Sequence, residues 1–301
     1  MAQLQKPPFV YMNGRLTPWD KAHIHVSSEA LIRGISVFEG LKGYWDEEST
    51  RFSIIALQEH YDRLRLSAFI QHLPFEISFE AYRDACAELA LKLLTKDRDL
   101  WLRTTLYSVE GQWGEHTIAD LVITAYHQDK KRPGTLDVGV STWRRPGDVS
   151  LPARVKSAAN YQISRMARIE GRRQGFDDLI LLNEAGRVAE ASGSCVLMAR
   201  NGRIVTPPAY EGCLESITVN IAEGLCASLD IPFERRPIDR TELLTAEAVY
   251  LVGTLMEFGR VRRLEAREFP ERHPLFDRLV EEFWACARGR RVNPAVRLSA
   301  V

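Results

Sequence analysis

The chain has 301 residues, of which 45% are hydrophobic and 27% are charged, an ordinary composition for a globular protein. Lysine plus arginine equals aspartate plus glutamate, at 40 each, so the formal net charge is zero. A neutral chain lacks the broad basic surface that attracts nucleic acids or anionic membranes. No apolar run approaches the roughly 18 residues of a membrane span. We therefore expect neither a nucleic-acid nor a membrane partner, and we expect specificity to come from a local site.

Five cysteines occur at spacings that match no zinc-binding pattern, and their number is odd: Cys86, Cys195, Cys213, Cys226 and Cys286. Reduced, mostly buried thiols in a cytoplasmic protein are the simplest account of them. The N-terminal residues MAQLQKPPFV lack the basic and then apolar pattern of a secretory signal. The sequence therefore predicts a cytoplasmic protein without a metal site.

The first half of the chain is predicted to be a strand-rich sheet with about two helices. Strands are expected at residues 9–12, 37–44, 53–57, 99–107 and 119–126. Residues 57–70 and 79–94 change to a helical period, with apolar side chains recurring on one stripe of each segment.

The charged segment HQDKKRPG at residues 127–134 ends in Pro-Gly and is the best linker candidate. It divides the chain into a small N-terminal domain over residues 1–127, a loop over 128–135, and a larger C-terminal domain over 136–301. In the second half, strands are expected at residues 136–142, 178–182, 187–191, 195–199, 203–206 and 248–253. Helices are expected at residues 154–173, 216–229 and 274–288. The whole pattern predicts an α+β protein.

The segment RVKSAANY at residues 154–161 follows a run rich in proline and glycine and is predicted to open a helix. Lys156 lies there among small and apolar neighbours. Burial disfavours the charged form of an amine, and a neutral amine is the nucleophile that Schiff-base chemistry needs. The alternative is a solvated lysine, which is the more common reason for a lysine at a helix start.

Four further residues have both a functional and a plain interpretation. Arg63 beside an apolar helical stripe suits a phosphate, or is a solvated arginine. Glu190, flanked by small residues, can approach a flat ligand, or is an edge-strand charge. Thr218 in a first helical turn suits an anion, although a Ser216 N-cap explains the same residues. Thr254 ends an apolar strand with a hydroxyl, or belongs to a turn.

Together these residues supply what a pyridoxal phosphate site needs: a Schiff-base lysine, groups that hold a phosphate, and a carboxylate for the pyridinium nitrogen. That carboxylate keeps the ring nitrogen protonated, so the ring can draw electrons from the substrate Cα. The amine of Lys156, once released by the incoming substrate, is then the natural general base.

At this point the sequence resembles the class IV aminotransferases, which are pyridoxal phosphate enzymes of fold type IV. Within this family the sequence most resembles the branched-chain amino acid aminotransferases. The similar motifs follow the same order over nearly the whole chain: SVFEGL at 36–41, EHYDRL at 59–64, the lysine segment at 156–161, VAE at 188–190, TPP at 206–208, Leu214 with Ile217-Thr218, and Gly253-Thr254.

The resemblance implies a role for each matching residue. Lys156 would hold the cofactor, Glu190 would pair with the pyridinium nitrogen, and Tyr161 would hydrogen-bond the phenolic oxygen. The phosphate would be held by Arg63, the N–H groups of Ile217 and Thr218, and Thr254, while Leu214 would pack on the ring. The substrate pocket would be lined by Phe38, Trp101, Arg103 and the Thr254-Leu255 turn.

The departures from the family pattern concern the substrate. Arg33 stands where branched-chain enzymes usually carry a pocket tyrosine, and either supplies a carboxylate contact or turns outward. Trp101 replaces an aromatic hydroxyl used for the substrate carboxylate. Cys195 replaces a common asparagine, and Glu215-Ser216 replace Pro-Gly.

The implied fold is a small N-terminal α/β sandwich with a larger C-terminal pseudo-barrel domain. The implied reaction transfers an amino group from a branched-chain L-amino acid to a 2-oxo acid such as 2-oxoglutarate. An (R)-selective amine or D-amino acid transaminase is the second hypothesis, and an aminodeoxychorismate lyase or a non-enzymatic binding protein is a further alternative. Family members form at least dimers, with a loop from the neighbour closing the site, so we expect a homodimer or a larger homo-oligomer.

Overall fold

The computed structural model describes residues 5–46, 48 and 50–301, whose strands form two sheets. The first sheet has the order β16-β4-β3-β5-β6-β1-β2. Its strands are β1 (Phe9–Met12), β2 (Arg15–Pro18), β3 (Ser36–Asp46), β4 (Arg51–Ile55), β5 (Arg98–Gln112), β6 (Glu115–Asp129) and β16 (Leu298–Ala300). The helices of this half are α1 (Glu29–Ile32), α2 (Leu57–Ile70) and α3 (Phe79–Leu93).

The second sheet has the order β12-β11-β10-β13-β14-β7-β8-β9, with β15 paired to β14. Its strands are β7 (Leu136–Arg144), β8 (Asp178–Leu182), β9 (Val188–Ala191), β10 (Cys195–Arg200), β11 (Arg203–Thr206), β12 (Phe233–Arg235), β13 (Ala248–Gly253), β14 (Glu257–Leu264) and β15 (Arg267–Glu268). Its helices are α4 (Tyr161–Arg173), α5 (Ile217–Ser228), α6 (Arg240–Leu243) and α7 (Pro274–Ala287). The α+β class is therefore confirmed.

The helical stripes predicted for α2 and α3 form the core of the first half. Leu57, Tyr61, Leu64 and Ala68 of α2 are buried in one apolar cluster with the matching stripe of α3 and with the inner face of the first sheet. Side chains three and four residues apart share one side of a helix, so this spacing brings the whole stripe onto the sheet.

A second apolar cluster joins the two halves of the molecule. Ile221 and Leu225 of α5 and Phe283 of α7 pack in it with side chains of β10 and β13. Tyr44 of β3 and Ile55 of β4 belong to the same cluster, although they come from the first sheet. The two sheets therefore share one apolar core. A side chain at their junction contacts residues of both sheets.

All five cysteines are free and buried, as the sequence indicated. Burial raises the pKa of Cys195 and of Cys226 to about 12, so both thiols stay protonated near neutral pH. None of the described helices is long and apolar enough to span a membrane.

The predicted helix start at residue 154 is wrong. A short 3-10 turn at Ala158–Asn160 precedes α4, and Lys156 lies ahead of it in a non-helical segment. The backbone N–H of Phe38 donates to the Lys156 carbonyl at 2.9 Å, and Val37 forms a bridge with Ser157. This pairing with β3 takes the hydrogen-bonding groups that a helix would use.

Other elements of the sequence prediction were incomplete. The first half has a third helix, α1, which is short. The sequence pattern did not predict strand β14. Strand β16 pairs antiparallel with β4, so the last residues of the chain return to the first sheet. The domain division at residues 128–135 stays a prediction.

The tight contact at Gly43 predicts a destabilising substitution. An added Cβ at Gly43 would lie 2.1 Å from Cζ of the buried Phe52 ring. We expect Gly43→Ala to lower the free energy of unfolding by about 1–3 kcal/mol, because the ring has no room to move aside. Urea denaturation at fixed protein concentration measures this change.

Gly134→Ala is the matched control, since an added Cβ there meets no atom within 4 Å. Its effect should stay within about 0.5 kcal/mol of the parent protein. Equal effects of the two substitutions would contradict the packing described for β3 and β4.

Candidate active site

One cavity of about 260 Å³ lies where β3 and β5 of the first sheet face β9, β10 and β13 of the second. It is lined by all of the predicted site residues except Arg33: Phe38, Arg63, Trp101, Arg103, Lys156, Tyr161, Glu190, Leu214, Ile217, Thr218, Thr254 and Leu255. A larger groove of about 710 Å³ beside α7 contains none of them. The sequence prediction therefore converges on the smaller cavity.

The backbone of Lys156 is fixed, and its amine lies beside a hydroxyl. The N–H of Lys156 donates to Ser67 Oγ at 3.1 Å, in addition to the contact of its carbonyl with β3. Its Nζ lies 2.8 Å from Tyr161 Oη and 5.1 Å from the centroid of the Phe38 ring. Among the described residues Tyr161 is the one hydrogen-bonding partner of this amine, which is therefore well placed for proton transfer or nucleophilic attack.

Arg63 is held by a carboxylate that the sequence had shown only as part of a motif. Its Nε and Nη2 donate to the two oxygens of Glu39 at 2.7 and 2.8 Å, and Nη1 donates to the Glu215 carbonyl at 2.8 Å. His60 Nδ1 lies 2.6 Å from Glu39 Oε2. This bidentate pair fixes the plane of the guanidinium at the cavity wall.

The charges of this cluster follow from its burial. Burial alone would raise the pKa of the Glu39 carboxyl, but the charge and hydrogen bonds of Arg63, together with His60, lower it to about 2. Burial lowers the pKa of His60 and outweighs the opposing effect of Glu39. We therefore assign an ionised Glu39 and a neutral His60 that donates Nδ1–H to it.

Glu190 is also held by a basic partner, Arg145, which the sequence reading missed. Arg145 is only 3% exposed, and its Nε lies 3.3 Å from Glu190 Oε1. The backbone N–H of Leu214 donates to Glu190 Oε2 at 3.0 Å. These contacts fix the position of the carboxylate at the cavity wall. Arg145 follows β7 in a loop-like run, RPGD, and such a run carries no local signal of a buried partner.

The N-terminal turn of α5 forms another part of the wall. The Ser216 hydroxyl accepts from the Val219 N–H at 3.3 Å, so the predicted cap is present. This cap leaves the N–H groups of Ile217 and Thr218 at the open, electropositive end of the helix. Thr254 lies in the turn between β13 and β14 and also lines the cavity. The cap and the anion-binding interpretation are thus compatible.

Arg103 and Arg33 differ in their surroundings. The Arg103 guanidinium carbon lies 3.7 Å from the centroid of the Phe38 ring, and burial lowers the pKa of Arg103. Within the described residues, no carboxylate pairs with it. Arg33 instead donates Nη1 to Glu29 at 2.7 Å, one helical turn away, and lies over the Trp113 ring. Within this chain Arg33 does not line the cavity, and a contact with the substrate carboxylate stays a prediction.

The depressed pKa of Glu39 predicts a pH-dependent contribution to stability. The carboxyl is ionised in the folded protein down to about pH 2, against an ordinary value of 4.5. The stability that the ionised Glu39 contributes is fully present above pH 4.5, the ordinary pKa of the carboxyl. It is lost as the pH falls through the pKa in the folded protein, about 2. We expect the unfolding free-energy gap between the wild type and Glu39→Gln to narrow by roughly 3 kcal/mol between these limits.

Chemical denaturation of both proteins from pH 7 down to pH 2 measures this gap. Glu80→Gln on the exposed side of α3 is the control, for which no comparable narrowing is expected. A gap for Glu39→Gln that stays constant with pH would contradict the assigned ion pair.

Comparison with known proteins identifies the family of the chain. A family model described as amino-transferase class IV matches residues 36–264, well over half of the sequence. A probable branched-chain-amino-acid aminotransferase of Aquifex aeolicus is 31% identical over 290 residues, which cover 94% of this chain and 93% of that protein.

Solved structures agree with the sequence relatives. A branched-chain aminotransferase from Thermoproteus uzoniensis with norvaline has a TM-score of 0.89 and 28% identity, covering 96% of this chain and 98% of that one. The branched-chain amino acid aminotransferase from Thermobaculum terrenum in its PLP-form has a TM-score of 0.88 and 27% identity, covering 97% and 98%. The resemblance carried by the motifs is confirmed: this chain belongs to the class IV aminotransferases and is an enzyme that transfers amino groups.

Proposed function

We propose that the protein is a pyridoxal phosphate-dependent transaminase that moves an amino group from a branched-chain L-amino acid to a 2-oxo acid such as 2-oxoglutarate. The observation that carries the proposal is the Lys156 amine, 2.8 Å from the Tyr161 hydroxyl, in the same cavity as Glu190 and Arg63. The names of the relatives supply the substrate class, and the PLP-form of one structural neighbour supports the cofactor.

The residues present fit this cofactor by their chemistry. The Arg63 guanidinium and the helix N-terminus at Ile217 both line the cavity, and both suit a phosphate. Glu190, held beside Arg145, suits a protonated ring nitrogen. The hydroxyls of Ser192 and Ser194 line the same cavity and are buried without a described partner, as expected of a wall that faces a polar ligand.

The proposed reaction uses the amine of Lys156 as both the attachment point of the cofactor and the proton carrier. When bound, pyridoxal phosphate supplies an electron-withdrawing ring that acidifies the substrate Cα–H bond. Lys156 Nζ would accept the proton of the substrate Cα and would return it to the C4′ atom of the cofactor. The Tyr161 hydroxyl orients Nζ through their hydrogen bond. Glu190, whose position is fixed by Arg145, would stabilise a protonated ring nitrogen.

The substrate is proposed to lie against Phe38, Trp101 and Leu255. These apolar surfaces suit an aliphatic side chain, which gains about 25 cal/mol for each Å² removed from water. Arg103 lies half-buried beside them without a described acidic partner. A guanidinium that is partly removed from water is stabilised by a counter-charge, so we assign it a carboxylate of the incoming acid.

A second candidate is an (R)-selective amine or D-amino acid transaminase. Trp101 carries an indole N–H where the family pattern has a hydroxyl, and this buried N–H has no hydrogen-bond partner among the described residues. Because a tryptophan nitrogen donates only, it cannot reproduce the two-way hydrogen bonding of a phenol. We therefore expect this pocket to bind the substrate carboxylate differently from a pocket with a phenol at this position.

We also propose a homodimer or a larger homo-oligomer in the cytoplasm. Several large apolar side chains are exposed near α1 and the β5–β6 hairpin: Ile24, Val26, Leu31, Ile32 and Trp113. An apolar surface of this kind is commonly covered by a partner, and the five free thiols suit a reducing compartment. Sedimentation at the 34.2 kDa of a single chain would contradict the oligomer.

Spectroscopy with different amino donors tests the proposed substrate. We expect the purified protein to show a yellow absorbance band that bleaches on addition of L-leucine, because the amino group passes to the cofactor. D-Alanine and (R)-1-phenylethylamine are the comparison donors and should leave the band unchanged.

A band that ignores L-leucine and bleaches with either comparison donor would reject the branched-chain substrate and favour the second candidate. Absence of any band after incubation with pyridoxal phosphate would reject the transaminase itself. Release of pyruvate from aminodeoxychorismate without an oxo-acid acceptor would identify a lyase.

A further inference from the structure

A buried cluster behind the cavity joins the two sheets through side chains that the proposed reaction does not use. Lys42 and Tyr44 lie on β3, and Glu257 is the first residue of β14. Lys42 Nζ donates to Glu257 Oε1 at 2.5 Å, and Tyr44 Oη donates to the same oxygen at 2.7 Å. All three side chains are buried, with Glu257 only 1% exposed. We call these residues the cross-sheet triad.

The backbone at Glu257 has an unusual conformation. Gly253 pairs with Glu257 across a three-residue loop formed by Thr254, Leu255 and Met256. Glu257 has a φ of 51°, in the left-handed region that side-chain-bearing residues seldom adopt. Three-residue hairpin loops often place glycine at such a position. A buried glutamate there keeps an unfavourable backbone conformation, and its two hydrogen bonds compensate for it.

The cross-sheet triad lies directly behind the loop that lines the cavity. Thr254 and Leu255 face the cavity, and Phe38 and Gly40 precede Lys42 on the same face of β3. A void of about 20 Å³, lined by Lys42, Tyr44 and Thr254 among others, separates the triad from the cavity wall. This void holds about one water molecule, so it is no second ligand site.

We propose that Lys42, Tyr44 and Glu257 are positioning residues that hold the Thr254–Leu255 loop at the distance from β3 that ligand binding requires. The assignment rests on the proposed function, in which Thr254 contacts the cofactor phosphate and the loop lines the substrate pocket. The triad links the strand that carries Phe38 to the loop that carries Thr254. It therefore sets the width of the cavity between the two sheets.

The charges of the triad decide which substitutions test this proposal. Glu257→Gln alone leaves a buried ammonium without a counter-charge, which destabilises the fold whatever the role of the loop. Lys42→Met alone leaves a buried carboxyl whose pKa burial already raises, so it can become neutral. The double variant Lys42→Met/Glu257→Gln removes both charges and keeps an oxygen that accepts from Tyr44. It is the variant of choice.

A matched control removes a comparable buried ion pair that does not touch the loop. Arg288 Nη2 lies 2.7 Å from Asp99 Oδ2, and this pair also joins the first sheet to the C-terminal half of the chain. Arg288 lies 5.1 Å from the centroid of the Tyr44 ring. Asp99→Asn/Arg288→Met should therefore report the general loss of a buried ion pair near the triad.

Hydrogen exchange of the peptide over residues 250–260 is measured first, on the cofactor-free proteins. The double variant should exchange about tenfold faster in this loop than the wild type, because a loss of local stability raises the population of open states. The control should change little there. Unchanged exchange in a folded double variant would overturn the proposal, and this readout does not depend on the cofactor.

Pyridoxal phosphate binding is then measured by quenching of tryptophan fluorescence, alongside steady-state kinetics with L-leucine. The double variant should show a Kd for pyridoxal phosphate and a KM for the donor that are each raised about tenfold, with kcat changed much less. Wild-type values of both constants in the double variant would overturn the proposal. Failure of the wild type to bind pyridoxal phosphate would count against the proposed function alone, because the exchange result stands independently.

Discussion

The buried ion pair between Glu39 and Arg63 is the interaction on which the rest of the cavity depends. A carboxylate with no solvent contact is stable only when a cation and further hydrogen bonds replace water, and Arg63 with His60 supplies both. The same guanidinium donates its third contact to the Glu215 carbonyl, just before α5. One side chain on α2 thus connects the first sheet to the helix N-terminus of the second half. The proposed phosphate site exists only where the two halves meet.

The same arrangement, an acidic side chain held by a basic one, recurs around the cavity. Glu190 is held by Arg145, and Glu257 is held by Lys42, each from a segment distant in the chain. Every one of these acids is therefore fixed before a ligand arrives. Groups that are already oriented need little reorganisation during a reaction, which is the main way a protein site stabilises developing charge. The Lys156 amine, with one hydroxyl partner and no carboxylate in the contacts described for it, differs from them and is left available for chemistry.

Local periodicity predicted the elements well, whereas contacts distant in sequence were not predicted. The bounds of α2 were predicted because Leu57 and its stripe follow a clean helical period. The helix start near Lys156 was misplaced because pairing with β3 overrides local preference, and no pattern near Lys156 reveals that pairing. Motif resemblance brought Lys156, Glu190 and Arg63 together, but it could not show that Arg145 and Glu257 hold the cavity, since their partners lie far along the chain. The direction of Arg33 has a local cause instead: its partner Glu29 is one helical turn away in α1, a helix that the sequence pattern did not predict.

The central claim is that Lys156 is the residue that binds the cofactor covalently. The most direct test is to incubate the protein with pyridoxal phosphate, reduce it with borohydride, and map the added mass by peptide mass spectrometry. We expect one modified peptide, with the added mass on Lys156, and no such modification in Lys156→Ala. The buried Lys42 is an internal comparison, because its amine is held by Glu257. A modification on another lysine, or none at all, would contradict the account.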